Sequence, residues 1–151
     1  MKVLIVEDND EKARQIREVV GIFSPQEVAH VRGLRAAYPA LERVRWDLVI
    51  LDMTLHAAEG SLSASSKESL AGIEVLQAIQ AGGDQTAVIV ATQHDVFRQD
   101  PLYFESISDL DRSLRDAFPS IYRGIVRVKL GIEDWKVEME VKIREIVGYT
   151  Q

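Results

Sequence analysis

The chain has 151 residues, 46% of them hydrophobic and 28% charged, which suits one domain with a real core and lies outside the low-hydrophobicity, high-charge regime of disordered chains. Its net charge of -6 argues against nucleic acid as a main partner, because duplex binding relies on Lys and Arg neutralising phosphates. With no cysteine it can have no disulfide framework, thiolate metal site or cysteine nucleophile, a composition compatible with a reducing cytosol.

The amino terminus opens on MKVLIVED, an apolar run too short to span a membrane and closed at once by two carboxylates. That is unlike a secretory signal, so a cytoplasmic protein without a membrane partner is expected. VLIV at 3–6 reads as a buried parallel strand because it is continuous rather than alternating. Ala13, Ile16 and Val20 then repeat with helical period. EVAHV at 27–31 reads as a second, weaker strand, and Leu34, Ala37, Leu41 and Val44 mark a second helix that Pro39 is expected to kink or split. LVIL at 48–51 is the third strand.

After it comes the one compositionally biased stretch, EGSLSASSKES from Glu59 to Ser69. Ser65 and Glu68 have capping-box spacing ahead of Leu70, Ile73, Leu76 and Ile79, which predicts a helix ending near Gly82. AVIVA at 87–91 is the fourth strand. The stretch from Gln93 to Ser120 is long for one connection; Ile107, Leu110, Leu114 and Ala117 predict a helix in it, between the breaks at Asp100-Pro101 and Phe118-Pro119. IVRV at 125–128 is the last strand. The closing helix, from about Glu133 to Val147, carries Trp135, Met139, Ile143 and Ile146 on one face. Val137 and Val141 lie about opposite, as either a small docking patch or a surface that a rotated helix would bury.

Strands alternating with helices imply right-handed crossovers and a doubly wound α/β fold, its parallel sheet covered on both faces. In such folds ligands bind outside the carboxyl ends of the strands. There the first strand ends in Glu7 and Asp8, the third in Asp52, the fourth in Thr92 and the fifth in Lys129. Any one of these alone is an ordinary helix cap or solvated strand end. Together they are what phosphoryl chemistry on a carboxylate requires. Three carboxylates about 4 Å apart repel by roughly 4 kcal/mol per pair at an effective dielectric near 20. A divalent cation relieves that repulsion, and all-oxygen ligands favour Mg2+ over zinc. His30, His56 and His94 have no ligand spacing among them.

In these motifs the chain resembles the receiver domains of two-component response regulators. KVLIVEDND is similar to the family's first strand with its acidic pair, DLVILDM to the strand bearing the phosphoacceptor aspartate, IVATQ to the strand ending in a hydroxyl, and VRVK to the strand ending in a lysine. The resemblance implies a single receiver-like domain over residues 1–151, with a five-stranded parallel sheet in the flavodoxin-like order 2-1-3-4-5. It implies that Asp52 accepts a phosphoryl group from a histidine kinase or phosphotransfer protein, with Mg2+ held by Glu7, Asp8, Asp52 and the backbone carbonyl of Thr54. Thr92 and Lys129 would engage the phosphoryl oxygens. The protein would then be no enzyme beyond self-phosphorylation and self-dephosphorylation, and would signal by binding an effector protein, since no output domain follows the last helix.

The chain departs from the family's pattern in an expanded loop at about 54–69, an expanded segment at about 93–120, and at His56, Gln93, Val126 and Leu130. Val126 stands where the family carries a switching aromatic. These departures touch the output surface more than the pocket. They keep open a second reading, a pseudo-receiver that binds its partner without phosphorylation. A phosphohydrolase with an aspartate nucleophile is disfavoured because Met53 and Thr54 follow Asp52 without a second aspartate, and no glycine-rich nucleotide loop follows the first strand.

Overall fold

The computed structural model describes residues 1–53, 71–83, 85–93, 97–99, 102–104 and 106–150. The expanded loop at 54–69, and with it Thr54, His56 and the capping pair Ser65 and Glu68, lies outside the described residues, as does His94. In chain order the elements are β1 (Lys2–Val6), α1 (Asp10–Gly21), β2 (Glu27–Val31), α2 (Leu34–Arg43), β3 (Leu48–Leu51), α3 (Ala71–Ala81) and β4 (Ala87–Thr92). They continue with β5 (Phe97–Gln99), β6 (Leu102–Phe104), α4 (Ile107–Ala117), β7 (Tyr122–Arg127) and α5 (Asp134–Thr150).

The main sheet has the order β2-β1-β3-β4-β7, and every neighbouring pair in it is parallel. Counting only these five strands, this is the expected order 2-1-3-4-5. The continuous apolar runs follow from the two-residue period of a strand covered on both faces. Leu4, Val6, Val49, Leu51, Val88 and Val90 face the core shared with α2, α3 and α4. Val3, Ile5, Leu48, Ile50, Ile89 and Val126 face the core shared with α1 and α5. Full burial stabilises by about 1.5–3 kcal/mol per Val, Leu or Ile, so the strands contribute to both cores.

Three features differ from the sequence expectation. The segment after β4 holds, besides the expected helix α4, an antiparallel pair β5–β6 in register Phe97↔Phe104 to Gln99↔Leu102. Strands of three residues are too short for alternation to register as a pattern. Pro39 neither splits nor ends α2, which runs through it. Its ring lies on the exposed face, where water can take the hydrogen bond that the proline cannot donate. The last strand begins at Tyr122, earlier than IVRV, and passes through Gly124, which adopts φ +124 at an irregularity in the β4–β7 register between Val88 and Val90. That glycine interrupts the apolar run.

The expected face of α5 is buried: Trp135, Met139, Ile143 and Ile146 pack into the core, while Val137 and Val141 are exposed. Among the described residues no helix is long and apolar enough to cross a membrane.

Candidate functional site

Parallel pairing places the strand ends on one edge. The Glu7 amide donates to the Val31 carbonyl (3.0 Å) and the Asp52 amide to the Val6 carbonyl (3.0 Å), so Glu7 and Asp52 continue the β1 and β3 ladders by one residue. The β3–β4 register ends at Leu51↔Val90, which sets Asp52 against the last residues of β4, Ala91 and Thr92. On the far side of β4, the Val128 amide donates to the Thr92 carbonyl (2.8 Å).

Beyond β1 the chain turns directly into α1. Asn9 caps the helix by accepting from the Lys12 amide (3.0 Å), and Asp10 and Glu11 occupy the first turn, where the helix dipole favours negative charge. Glu7 Oε1 accepts from the Asn9 amide (3.1 Å), and His30 Nε2 donates to the Glu7 carbonyl (2.7 Å). Arg32 ties the same turn from β2's end, with a hydrogen bond to the Asp8 carbonyl (3.0 Å) and an ion pair to Asp10. The turn bearing Glu7 and Asp8 is thus held from both sides.

The result is a group of three carboxylates, Glu7, Asp8 and Asp52, whose ligand oxygens lie within 4.8 Å of one another. Glu7 is 1% exposed and Asp52 6% exposed, and Asp8 is half-buried. Burial pushes the Glu7 carboxyl up to about 8; the Lys12 ammonium pulls against that shift and the Asp52 charge adds to it. Glu7 Oε2 is buried without a hydrogen bond. Three clustered carboxylates, two of them buried, offer the hard oxygen donors that a divalent cation prefers, so the residues present fit Mg2+.

The site residues named from sequence separate into three sets. Glu7, Asp8 and Asp52 come together. Thr92 is fully buried at the end of β4, and Lys129 lies on the same edge two residues past β7, but is exposed. Thr54 is outside the described residues. Val126 is fully buried in the core under α1 and α5.

Sequence reasoning missed Lys12. Its side chain is 1% exposed, with Nζ 2.6 Å from Glu7 Oε2, 3.6 Å from Asp52 Oδ2 and 2.9 Å from the Ala91 carbonyl, to which it donates. At 2.6 Å the Lys12 ammonium balances the charge on Glu7 Oε2, so that buried oxygen is not left uncompensated. The signal was present in α1: Lys12, Ile16 and Val20 are four residues apart, so Lys12 occupies the core-facing phase.

The chain is 30% identical over 152 residues to the Detocs response regulatory protein DtcB of Enterobacter cloacae, a match covering 97% of this chain and 100% of that one. The chain belongs to the response regulator receiver family. Among solved structures, a signal receiver domain from Vibrio parahaemolyticus aligns with this receiver at TM-score 0.64 and 22% identity, over 99% of this chain and 94% of that one. The Mn2+-bound form of response regulator Rcp1 aligns at TM-score 0.60 and 18% identity, over 93% and 89% of the two chains. These likenesses establish the fold. No protein-family model matches the chain.

Proposed function

We propose that this receiver is a phosphoacceptor whose nucleophile is Asp52, phosphorylated by a histidine kinase or phosphotransfer protein in the cytoplasm. The observation that carries the reading is the buried three-carboxylate cluster with Asp52 at its β3 corner. Glu7, Asp8 and Asp52, with the Thr54 carbonyl, would hold Mg2+; the Mn2+-bound relative Rcp1 supports a divalent site of this kind. When bound, the ion neutralises negative charge on the carboxylates and on the incoming phosphoryl oxygens.

The chain's own residues do the rest. Burial strips water from Asp52, and the amide ladder to Val6 fixes its backbone for in-line attack. A carboxylate oxygen forms the new O–P bond while the bond from phosphorus to the donor's nitrogen or oxygen breaks, and the leaving group departs with that electron pair. The Thr92 hydroxyl, buried at the end of the neighbouring strand, would donate to a phosphoryl oxygen, and Lys129 at the same edge would add positive charge. Phosphorylation adds close to two negative charges. The pocket edge responds, and an effector protein reads the altered surface. Catalysis does not extend beyond the receiver's own phosphorylation and dephosphorylation.

The test is incubation of the purified protein with Mg2+ and acetyl phosphate, followed by intact-mass measurement. A single labile phosphoryl adduct, absent from Asp52→Asn, is expected. No adduct, together with no rise in thermal stability on adding Mg2+, would replace this reading with the phosphorylation-independent pseudo-receiver.

A further inference from the structure

Lys12 belongs to α1 in the chain and to the acidic pocket in space. A buried ammonium persists only where it is paired and hydrogen-bonded, and the Lys12 amine finds both conditions in the pocket: Glu7 at 2.6 Å, Asp52 at 3.6 Å and the Ala91 carbonyl at 2.9 Å. Lys129 is exposed, and no ion pair between its amine and the cluster is found among the described residues. A lysine on a flexible stem at a strand end in water loses much of its electrostatic value to screening, whereas a cation inside a dry cluster keeps it.

We propose that Lys12, delivered from α1, is the ammonium of this pocket. It balances Glu7 and Asp52 when no divalent ion is bound. Once Asp52 carries a phosphoryl group, it neutralises a phosphoryl oxygen, the role that the family resemblance gives to Lys129. This second half rests on the phosphoacceptor reading above. In the reaction with acetyl phosphate the Asp52 oxygen bonds to phosphorus, the phosphorus–oxygen bond to acetate breaks, and acetate leaves with the electron pair. Lys12 keeps its proton throughout.

Two consequences of opposite sign separate this role from a merely structural one. A fixed positive charge beside a divalent site repels the ion, so removing it tightens Mg2+ binding. A fixed positive charge beside the transferred phosphoryl group lowers the barrier, so removing it slows transfer. A packing defect would weaken both.

The experiment compares wild type, Lys12→Met, Lys12→Arg and Lys129→Ala by calorimetric titration with MgCl2 and by the rate of adduct formation from acetyl phosphate at saturating Mg2+. Lys12→Met is expected to bind Mg2+ about tenfold or more tightly and to form adduct on the order of 100-fold more slowly. Lys12→Arg regains part of the rate, and Lys129→Ala slows adduct formation by less than Lys12→Met does and does not tighten Mg2+ binding as strongly. Lys12→Gln, which retains a donor for the Ala91 carbonyl, gives the same comparison if Lys12→Met does not fold. Unchanged or weaker Mg2+ affinity in both neutral variants overturns the assignment, as does loss of adduct in Lys129→Ala while Lys12→Met retains it. Wild-type protein that takes no phosphoryl group overturns the phosphoacceptor reading instead; tighter Mg2+ binding by Lys12→Met would still support Lys12 as the pocket's cation.

Discussion

Gly72→Ala sets helix propensity against close packing beside Asp52. Gly72 is the second residue of α3, and its amide donates to the Met53 carbonyl (3.1 Å). A Cβ there would stand 2.9 Å from the Asp52 carbonyl oxygen, 2.9 Å from Met53 Cα and 3.1 Å from Met53 Sδ. Alanine gains up to about 1 kcal/mol over glycine in a helix interior, and less in a first turn. Overpacking costs about 1–3 kcal/mol. The upper part of that range applies, because two of the three close atoms are backbone and cannot swing aside as a flexible side chain would. The net expectation is destabilisation by about 1–2 kcal/mol, read by urea unfolding, or a fall in Tm of about 2–4 °C per kcal/mol for a chain of this size. Gly82→Ala is the control, since its nearest neighbours are at 3.6 Å, and it should change stability by less than about 1 kcal/mol. Relaxation of the clash also moves the Asp52–Met53 backbone, so Gly72→Ala should weaken Mg2+ binding although residue 72 is not among the proposed ligands. A Gly72→Ala protein as stable as wild type would show that α3 sits farther from Asp52 than the structure places it, and would refute the reasoning.

Two further outcomes are expected. If the three carboxylates form a divalent site, Mg2+ at 100 times its Kd should raise wild-type stability by about 2.7 kcal/mol in thermal unfolding; Asp52→Asn should gain clearly less, and equal gains would place the ion elsewhere. Tyr122 donates to Asp111 Oδ1 (2.5 Å), and burial first, then that hydrogen bond and the Asp111 charge, raise its pKa. A raised folded-state pKa means that the unfolded chain loses its proton first as pH rises past about 10, so stability is full below that pH and falls above it by up to about 1.4 kcal/mol per pH unit. Tyr122→Phe should cost about 1 kcal/mol at neutral pH and remove that part of the alkaline slope; chemical unfolding at pH 8 to 11 would show an unchanged slope if the assignment is wrong.

Much of the fold is legible in sequence because both of its periodic signals are strong. Three uninterrupted apolar runs, VLIV, LVIL and AVIVA, suit strands buried on both faces, and the structure sends Val3 and Ile5 to one core and Leu4 and Val6 to the other. The α4 and α5 faces follow from spacing alone, since Leu110, Leu114, Met139 and Ile143 recur at helical intervals and all are buried. Signals fail where they are short or overridden. The β5–β6 pair offers three residues a strand, and Pro39 is tolerated because its lost bond faces solvent rather than the core.

Lys12 illustrates a different limit, in which residue type hides what position reveals. On a helix surface a lysine is usually a solvated charge, and that expectation removes it from any list of core residues. Its phase with Ile16 and Val20 places it inward, where an unpaired ammonium would be too costly to keep. The helix must therefore bring that amine to an acid, and the acid is constrained in turn. Asn9 caps α1 immediately after the acidic pair, so the first helical turn folds back over the strand edge and carries residue 12 above the gap between β1, β3 and β4. Glu7, Asp52 and the Ala91 carbonyl line that gap. A cation in the core-facing phase of a helix that begins at an acidic strand end thus identifies its partners from chain geometry, without a motif to announce it.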